Sequence, residues 1–144
     1  MTKQELIQSM GKFLNERPWH IFGTFTTSYF LSDKQARRLA ERVYSDMSNK
    51  APESVTMFWV AETFRGNSDY HLHTLLYVKG TDSDYTLEQV KESWNKVSRS
   101  DGEKAQNIIH LDKYDVLRGA SYYISKHITS PKIDYDYMIP EIKI

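Results

Sequence analysis

Hydrophobic and polar residues follow two different periods along this chain. In four stretches the apolar residues recur every three or four positions, which is the spacing of an amphipathic helix. In four others they alternate, or run together with β-branched and aromatic residues, which is typical of strands. The pattern predicts the order α-β-α-β-β-α-β-α, with helices near residues 2–15, 32–50, 86–98 and 114–128 and strands near 19–27, 54–64, 70–80 and 105–113.

This order of elements predicts an α+β fold. A central antiparallel sheet of about five strands, with a ferredoxin- or RRM-like βαββαβ core and helices on its faces, is the simplest packing of the elements. Ser32 is the candidate N-cap of the second helix, and the buried stripe of the last helix should contain Leu117, Ser121, Ile124 and Ile128. Residues 1–130 are predicted to form one domain, and residues 131–144 a C-terminal tail.

The amino-acid composition excludes several kinds of site and interaction. The 144 residues include no cysteine, so disulfides, thiolate zinc sites and a cysteine nucleophile are excluded. Nineteen Lys and Arg balance nineteen Asp and Glu, so any contact with nucleic acid must be local, because no net positive charge attracts it. The sequence has no run of about 18 apolar residues, and its first stretch is too polar for a signal peptide. We therefore expect a cytoplasmic protein without a membrane partner.

The strand "YHLHTLLYV" carries two histidines one residue apart. Alternation places His71 and His73 on one face of the strand and Leu72 on the other. The preceding strand contains one acid, Glu62, within the apolar stretch "FWVAETF", and a short hairpin would put it beside the histidines. Two imidazoles and a carboxylate on one patch form a three-ligand site for a divalent metal, with positions left open for water or a phosphate oxygen.

The last predicted helix contains two tyrosines close to a lysine. Tyr122 and Tyr123 are four and three residues before Lys126, so either phenol can meet the ammonium group on the helix surface. A phenol near a cation and a metal-bound phosphate ionises more easily and can act as a nucleophile. Helical geometry alone does not separate the two tyrosines.

Together these motifs resemble those of the HUH endonucleases, and specifically the single-tyrosine initiators of rolling-circle replication in plasmids and small-genome viruses. The resemblance rests on "HLH" in a central strand, an acid on the neighbouring strand, and Y-x-x-K in a later helix, which selects Tyr123. "FGTFTT" is similar to the family's first, mainly structural motif. The three motifs run in the family's order from Phe22 to Lys126.

The resemblance implies a site-specific nickase and strand transferase. Glu62, His71 and His73 would hold Mg²⁺ or Mn²⁺, which polarises the scissile phosphate. Tyr123 would attack that phosphate, giving a 5′-phosphotyrosine link and a free 3′-OH, while Lys126 steers the phosphate or stabilises the phenolate. The substrate would be single-stranded DNA, in a hairpin at an origin, with a host helicase and polymerase as further partners. The sequence has no G-x-x-x-x-G-K-[ST] loop of its own.

Contacts with DNA are expected from basic residues around these motifs. The candidates are Arg37, Arg38 and Arg42 on the second helix, Arg65 in the hairpin turn, and Lys113 and Arg118 near the last helix. Acidic neighbours such as Glu41 and Asp46 also fit an ordinary solvated surface. The oligomeric state is left open by the sequence.

Three other functions compete with this hypothesis. A small insertion-sequence transposase would share the histidine motif, although such enzymes usually have a glutamine on the tyrosine helix, where this chain has His127. A non-catalytic RRM-like module would stack bases on its sheet, with Tyr29, Phe58, Tyr77 and Tyr85 as the available aromatics. A two-histidine phosphoesterase would need two H-x-T motifs, and "HLH" breaks one of them.

Overall fold

The computed structural model describes most of the chain. The described residues are 2–27, 29–63, 69–98, 109–115, 117, 119–125 and 133–140, and for 109, 120, 122 and 123 the description is limited to the backbone. Within these residues every helix is too short or too polar to cross a bilayer.

The sheet has five strands, each antiparallel to its neighbours, in the order β4-β1-β3-β2-β5. This confirms the predicted α+β fold, and the inner order is that of a βαββαβ core. The strands are β1 (Ile21–Phe25), β2 (Val55–Thr63), β3 (Tyr70–Val78), β4 (Ile109–Lys113) and β5 (Asp134–Met138).

Helices cover both faces of the sheet. They are α1 (Lys3–Asn15), α2 (Asp33–Lys50), α3 (Ser83–Val97) and α4 (Ala120–Ser125). The predicted cap at Ser32 is confirmed: its side chain accepts a hydrogen bond from the backbone N–H of Gln35, and the Gln35 side chain accepts one from the backbone N–H of Ser32. α2 and α3 pack on the face that carries Trp59, Leu72 and Leu76.

α1 and α4 pack on the opposite face. Leu14 of α1 and Ile124 of α4 join Phe58, Val60 and Leu75 of the sheet in a second, smaller core. Because side chains alternate along β3, this is also the face of His71 and His73. The prediction that His71 and His73 share the face opposite Leu72 is therefore confirmed.

The start of the last helix differs from the sequence prediction. Leu117, expected in the buried stripe, is 91% exposed. Gly119 has φ +71°, a left-handed conformation that breaks the helical path, so α4 begins only at Ala120. Ser121 and Ile124 are buried as predicted, and Ile128 lies outside the described residues.

The C-terminal segment contributes a strand that the sequence pattern did not indicate. The sequence predicts a tail from residue 131, whereas in the structure Asp134–Met138 pairs with Met57–Ala61 of β2 as the edge strand of the sheet. The alternation of Asp and Tyr in "DYDYM" is a period-two signal, but its apolar content is low. The strand forms because it pairs with a strand more than seventy residues earlier, and the local sequence does not reveal that partner.

Candidate metal centre

The register of the β2–β3 hairpin assembles the candidate metal centre. Glu62 pairs directly with His71, and His73 follows two residues later on the same face. The three side chains are largely buried, with exposed fractions of 14% for Glu62, 10% for His71 and 7% for His73. The hairpin therefore brings together the three predicted ligands.

The three potential ligand atoms converge on one point. Oε1 of Glu62 lies 3.0 Å from Nε2 of His71 and 2.6 Å from Nε2 of His73, and the two imidazole nitrogens are 3.1 Å apart. Adjacent ligands of an octahedral cation with bonds of about 2.1 Å are separated by about 3.0 Å. The observed separations are therefore those expected of three ligands of one such cation. Two imidazoles and one carboxylate are acceptable to several divalent metals.

Strand β1 supports the site from the side opposite β2. Oγ1 of Thr24 lies 3.2 Å from Nδ1 of His73, so Nδ1–H can donate to the hydroxyl while Nε2 keeps its lone pair for a cation. The Phe22 ring lies nearly parallel to the His73 ring, at 9° and 6.2 Å between centroids. Sequence reasoning assigned neither residue a contact with the site. Their alternation in "FGTFTT" was visible, but the β1–β3 register, which joins residues about fifty positions apart, was not.

The tyrosine helix lies on the same face of the sheet as the metal centre. Ile124 of α4 packs in the core that contains Val60, and Val60 is paired with His73. Tyr114 holds α4 further: its hydroxyl donates to Oδ1 of Asn15 in α1 and contacts Oγ of Ser121 at 2.7 Å. Tyr123 belongs to α4, but its side chain, that of Tyr122 and the whole of Lys126 lie outside the described residues.

Arg37 has partners within the fold. Its guanidinium group binds Asp134 of β5 through two hydrogen bonds of 2.6 and 2.7 Å and lies 5.1 Å from the centre of the Trp59 ring. The hydrogen bond to Asp134 raises the pKa of Arg37 most; burial opposes the shift, and the charges of Asp134, Asp136 and Glu41 add to it. Arg37 fastens the edge strand to α2 on the face opposite the metal centre.

The other predicted DNA contacts are dispersed. Lys113 is also on the opposite face, where Asp84 of α3 binds it at 2.9 Å and raises its pKa. Arg38 and Arg42 are exposed on α2 and line a cleft of about 140 Å³ beside Tyr29. Arg65 and Arg118 lie outside the described residues. The structure thus brings the three candidate metal ligands together but collects none of the described basic candidates around them.

The four aromatics of the RRM-like alternative do not form one platform. Tyr29 and Tyr85 pack against the core beneath α2 and α3, whereas Phe58 and Tyr77 belong to the core beneath α1 and α4. Phe58 is only 1% exposed. Base stacking across an open sheet face therefore has no support in the described residues.

Comparisons with models of protein families, with curated proteins and with solved structures gave no match for this chain. Its function is therefore argued from the fold and from the metal centre.

Proposed function

We propose that the protein is a metal-dependent nickase and strand transferase for single-stranded DNA, of the type that initiates rolling-circle replication. The observation that carries the proposal is the convergence of Glu62, His71 and His73, with ligand atoms separated by 2.6–3.1 Å, on the sheet face covered by α4. A three-ligand site is suited to a phosphate oxygen as a further ligand.

The position of α4 supports the choice of nucleophile. The helix packs through Ile124 onto the core that includes the His73 partner Val60, and Tyr123 is the residue just before Ile124. Tyr123 also begins the Y-x-x-K pattern that ends at Lys126. We assign the attack to Tyr123, and the steering of the phosphate or the stabilisation of the phenolate to Lys126.

The reaction is a transesterification. The phenol of Tyr123 loses its proton, its oxygen forms a bond to phosphorus, and the bond from phosphorus to the 3′ oxygen breaks. The 3′ oxygen takes up a proton and becomes a free 3′-OH that a polymerase can extend. Because the phosphotyrosine link conserves the energy of the phosphodiester, a 3′-OH can attack it in reverse and rejoin the strand.

Glu62, His71 and His73 would hold Mg²⁺ or Mn²⁺. When bound, the ion would supply Lewis-acid polarisation of the scissile phosphate and stabilise the charge that develops on its non-bridging oxygens. Thr24 keeps the imidazole of His73 in the orientation that binding requires.

The substrate would be a single strand, since one phosphate must enter a largely buried site. With a formal net charge of zero, the protein lacks bulk attraction for duplex DNA, and a hairpin at an origin would present a single-stranded loop for cleavage. Unwinding would come from a host helicase.

Covalent capture tests this proposal. Incubation with a labelled, random-sequence library of single-stranded hairpins and Mn²⁺ should give a DNA–protein adduct on a denaturing gel. Tyr123→Phe should abolish the adduct, because no phenol oxygen remains to form the link, and Tyr122→Phe is the matched control that should retain it.

The outcomes distinguish a wrong choice of nucleophile from an absence of nicking activity. Loss of the adduct in Tyr122→Phe alone would transfer the nucleophile to the neighbouring residue and leave the nickase in place. An absence of adduct and of nicked product in the unmodified protein, with either Mn²⁺ or Mg²⁺, would refute the nickase.

A further inference from the structure

Two arginines of α2 form a basic cleft at the same end of the sheet as the candidate metal centre, on the other face. Arg38 and Arg42 are four residues apart on α2 and line the cleft of about 140 Å³ together with Tyr29 and Gln35. At this spacing two like charges are neighbours on the helix surface and repel each other. An anion held between the two guanidinium groups would offset this repulsion and could accept hydrogen bonds from both.

Arg37, the residue before Arg38, does have acidic partners. Arg37 contacts Asp134, Asp136 and Glu41, so carboxylates are present on this side of the molecule. Asp46, one turn beyond Arg42, is bound to Lys50 and Lys96 instead. Across the part of the chain that the structure describes, neither Arg38 nor Arg42 has a carboxylate within ion-pair distance.

The cleft has fixed walls. The hydroxyl of Tyr29 donates a 2.8 Å hydrogen bond to the carbonyl of Ser98 at the end of α3, and Leu39 and Val97 supply an apolar surface. Burial raises the pKa of Tyr29, and Arg42 opposes that shift. The phenol is therefore neutral at pH 7, so among the described residues that line the cleft the two arginines are the charged ones.

Hydrogen bonds fix the cleft relative to the metal centre. The loop that carries Tyr29 ends at Leu31, whose N–H donates to Oδ1 of Asp69 and whose carbonyl accepts from the N–H of Tyr70. Tyr70 is the first residue of β3 and directly precedes His71. The two sites thus lie on either face of the sheet, at the end where β1 finishes and β3 starts.

An exposed aromatic residue belongs to the same loop. Phe30, flanked by the cleft residues Tyr29 and Leu31, is 59% exposed. Aromatic side chains beside cations are the usual means of binding single-stranded nucleic acid, because bases stack on the ring while the cations bind the backbone.

We propose that the Arg38–Arg42 cleft binds a backbone phosphate of the DNA strand, next to the segment that enters the metal centre, with a base of that strand stacked on Phe30. The inference rests on the proposed function and adds a subsite on the opposite face of the sheet. The strand would pass around the end of the sheet, so its path is longer than the metal centre alone requires.

Binding without cleavage tests the subsite. Fluorescence anisotropy with labelled dT oligonucleotides of increasing length, in EDTA and on the Tyr123→Phe background, measures affinity when no strand can be cut. Arg38→Gln with Arg42→Gln should weaken binding of a long oligonucleotide about tenfold at low salt. It should also make the negative slope of log K against log salt shallower, by about 0.7 for each lost phosphate contact. Phe30→Ala should weaken the same complex several-fold.

The control removes two exposed lysines away from the cleft, Lys79→Gln with Lys91→Gln, and should leave the affinity within twofold. Glutamine keeps most of the side-chain volume, and an unchanged melting temperature would verify folding. An arginine double variant that binds long oligonucleotides as tightly as this control would overturn the subsite. Adduct formation by the unmodified protein is scored separately, so a failed subsite and a failed nickase give different results.

Discussion

Glu62 is the residue on which the metal centre depends most. One carboxylate oxygen faces the Nε2 atoms of both His71 and His73, within 3.0 Å of each. A cation held by these atoms interacts with one negative and two neutral ligands, so the carboxylate supplies the only ligand charge. Removing that charge leaves two imidazoles, which bind divalent ions far more weakly.

Loss of the charge should appear as lost metal stabilisation. At a Mn²⁺ concentration about 100 times its Kd, binding adds about 2.7 kcal/mol to the free energy of unfolding. For a chain of this length that corresponds to a rise in Tm of about 8–10 °C. Glu62→Gln should reduce the rise to a degree or two in a thermal melt. His110→Ala, which removes an exposed histidine outside the three ligands, should keep it. An equal rise in Glu62→Gln and in the unmodified protein would exclude this carboxylate as a ligand.

At the scale of single elements, β5 is an edge strand held to the rest of the fold partly by side-chain contacts. It is an edge strand of five residues, paired on one side only, and its Asp134 receives both hydrogen bonds from Arg37. The parallel geometry of these two bonds makes the pair stronger than an ordinary surface ion pair. Arg37 also covers Trp59, so it connects helix, central sheet and edge.

Arg37→Ala should therefore loosen β5 selectively. We expect a loss of about 1 kcal/mol in the free energy of unfolding, since both partners are partly solvated, and a Tm lower by about 3 °C. Amide hydrogen exchange should accelerate in Asp134–Met138 more than in β1 or β3.

Arg42→Ala is the matched control for that experiment, because it removes an exposed arginine from the same helix and leaves β5 untouched. A uniform acceleration of exchange over the whole sheet in Arg37→Ala would show that β5 is not an independent unit of local opening.

At the scale of the whole molecule, α2 and α3 are joined by a partly buried carboxylate. Asp46 of α2 accepts hydrogen bonds from Oγ of Ser93 at 2.6 Å and from Nζ of Lys96 at 2.8 Å, both on α3. The contacts with Lys96 and Ser93 lower the pKa of Asp46 from 3.8 to about 2. The folded state therefore favours the ionised form more strongly than the unfolded state does.

The lowered pKa of Asp46 should make the free energy of unfolding fall in acid. Because the folded pKa is the lower one, the contribution is complete above the unfolded value near 4 and is lost as the pH falls through about 2. Between pH 5 and pH 2 the stability advantage over Asp46→Asn should shrink by about 1–2 kcal/mol in urea titrations. Asp84→Asn, at an exposed pair with Lys113, should show little such change. A constant difference between the protein and Asp46→Asn across this range would contradict the lowered pKa.

The parts of the molecule that could be predicted are those fixed by local spacing. The two imidazoles share a face because a strand has a period of two, and Glu62 joins them because a hairpin sets the register of its own strands. The α+β fold and the Ser32 cap follow from signals contained within single elements.

The parts that could not be predicted depend on distant partners or on one backbone torsion angle. The pairing of β5 with β2 and the contact of Thr24 with His73 join residues far apart in the chain. The late start of α4 follows from the conformation of Gly119, which the periodic apolar pattern around it does not reveal. The placement of the described basic candidates on the face opposite the candidate metal centre likewise required the folded structure.

The hydroxyl of Tyr114 joins elements from opposite ends of the sequence. It links Asn15 in the first helix to Ser121 in the last one described, whereas the three candidate metal ligands all come from a single hairpin. The positions of the candidate metal ligands and of α4 thus depend on separate sets of contacts. For the proposed nickase, a substitution of Asn15 in α1 should therefore shift α4, and Tyr123 with it, while the three candidate ligands keep their positions.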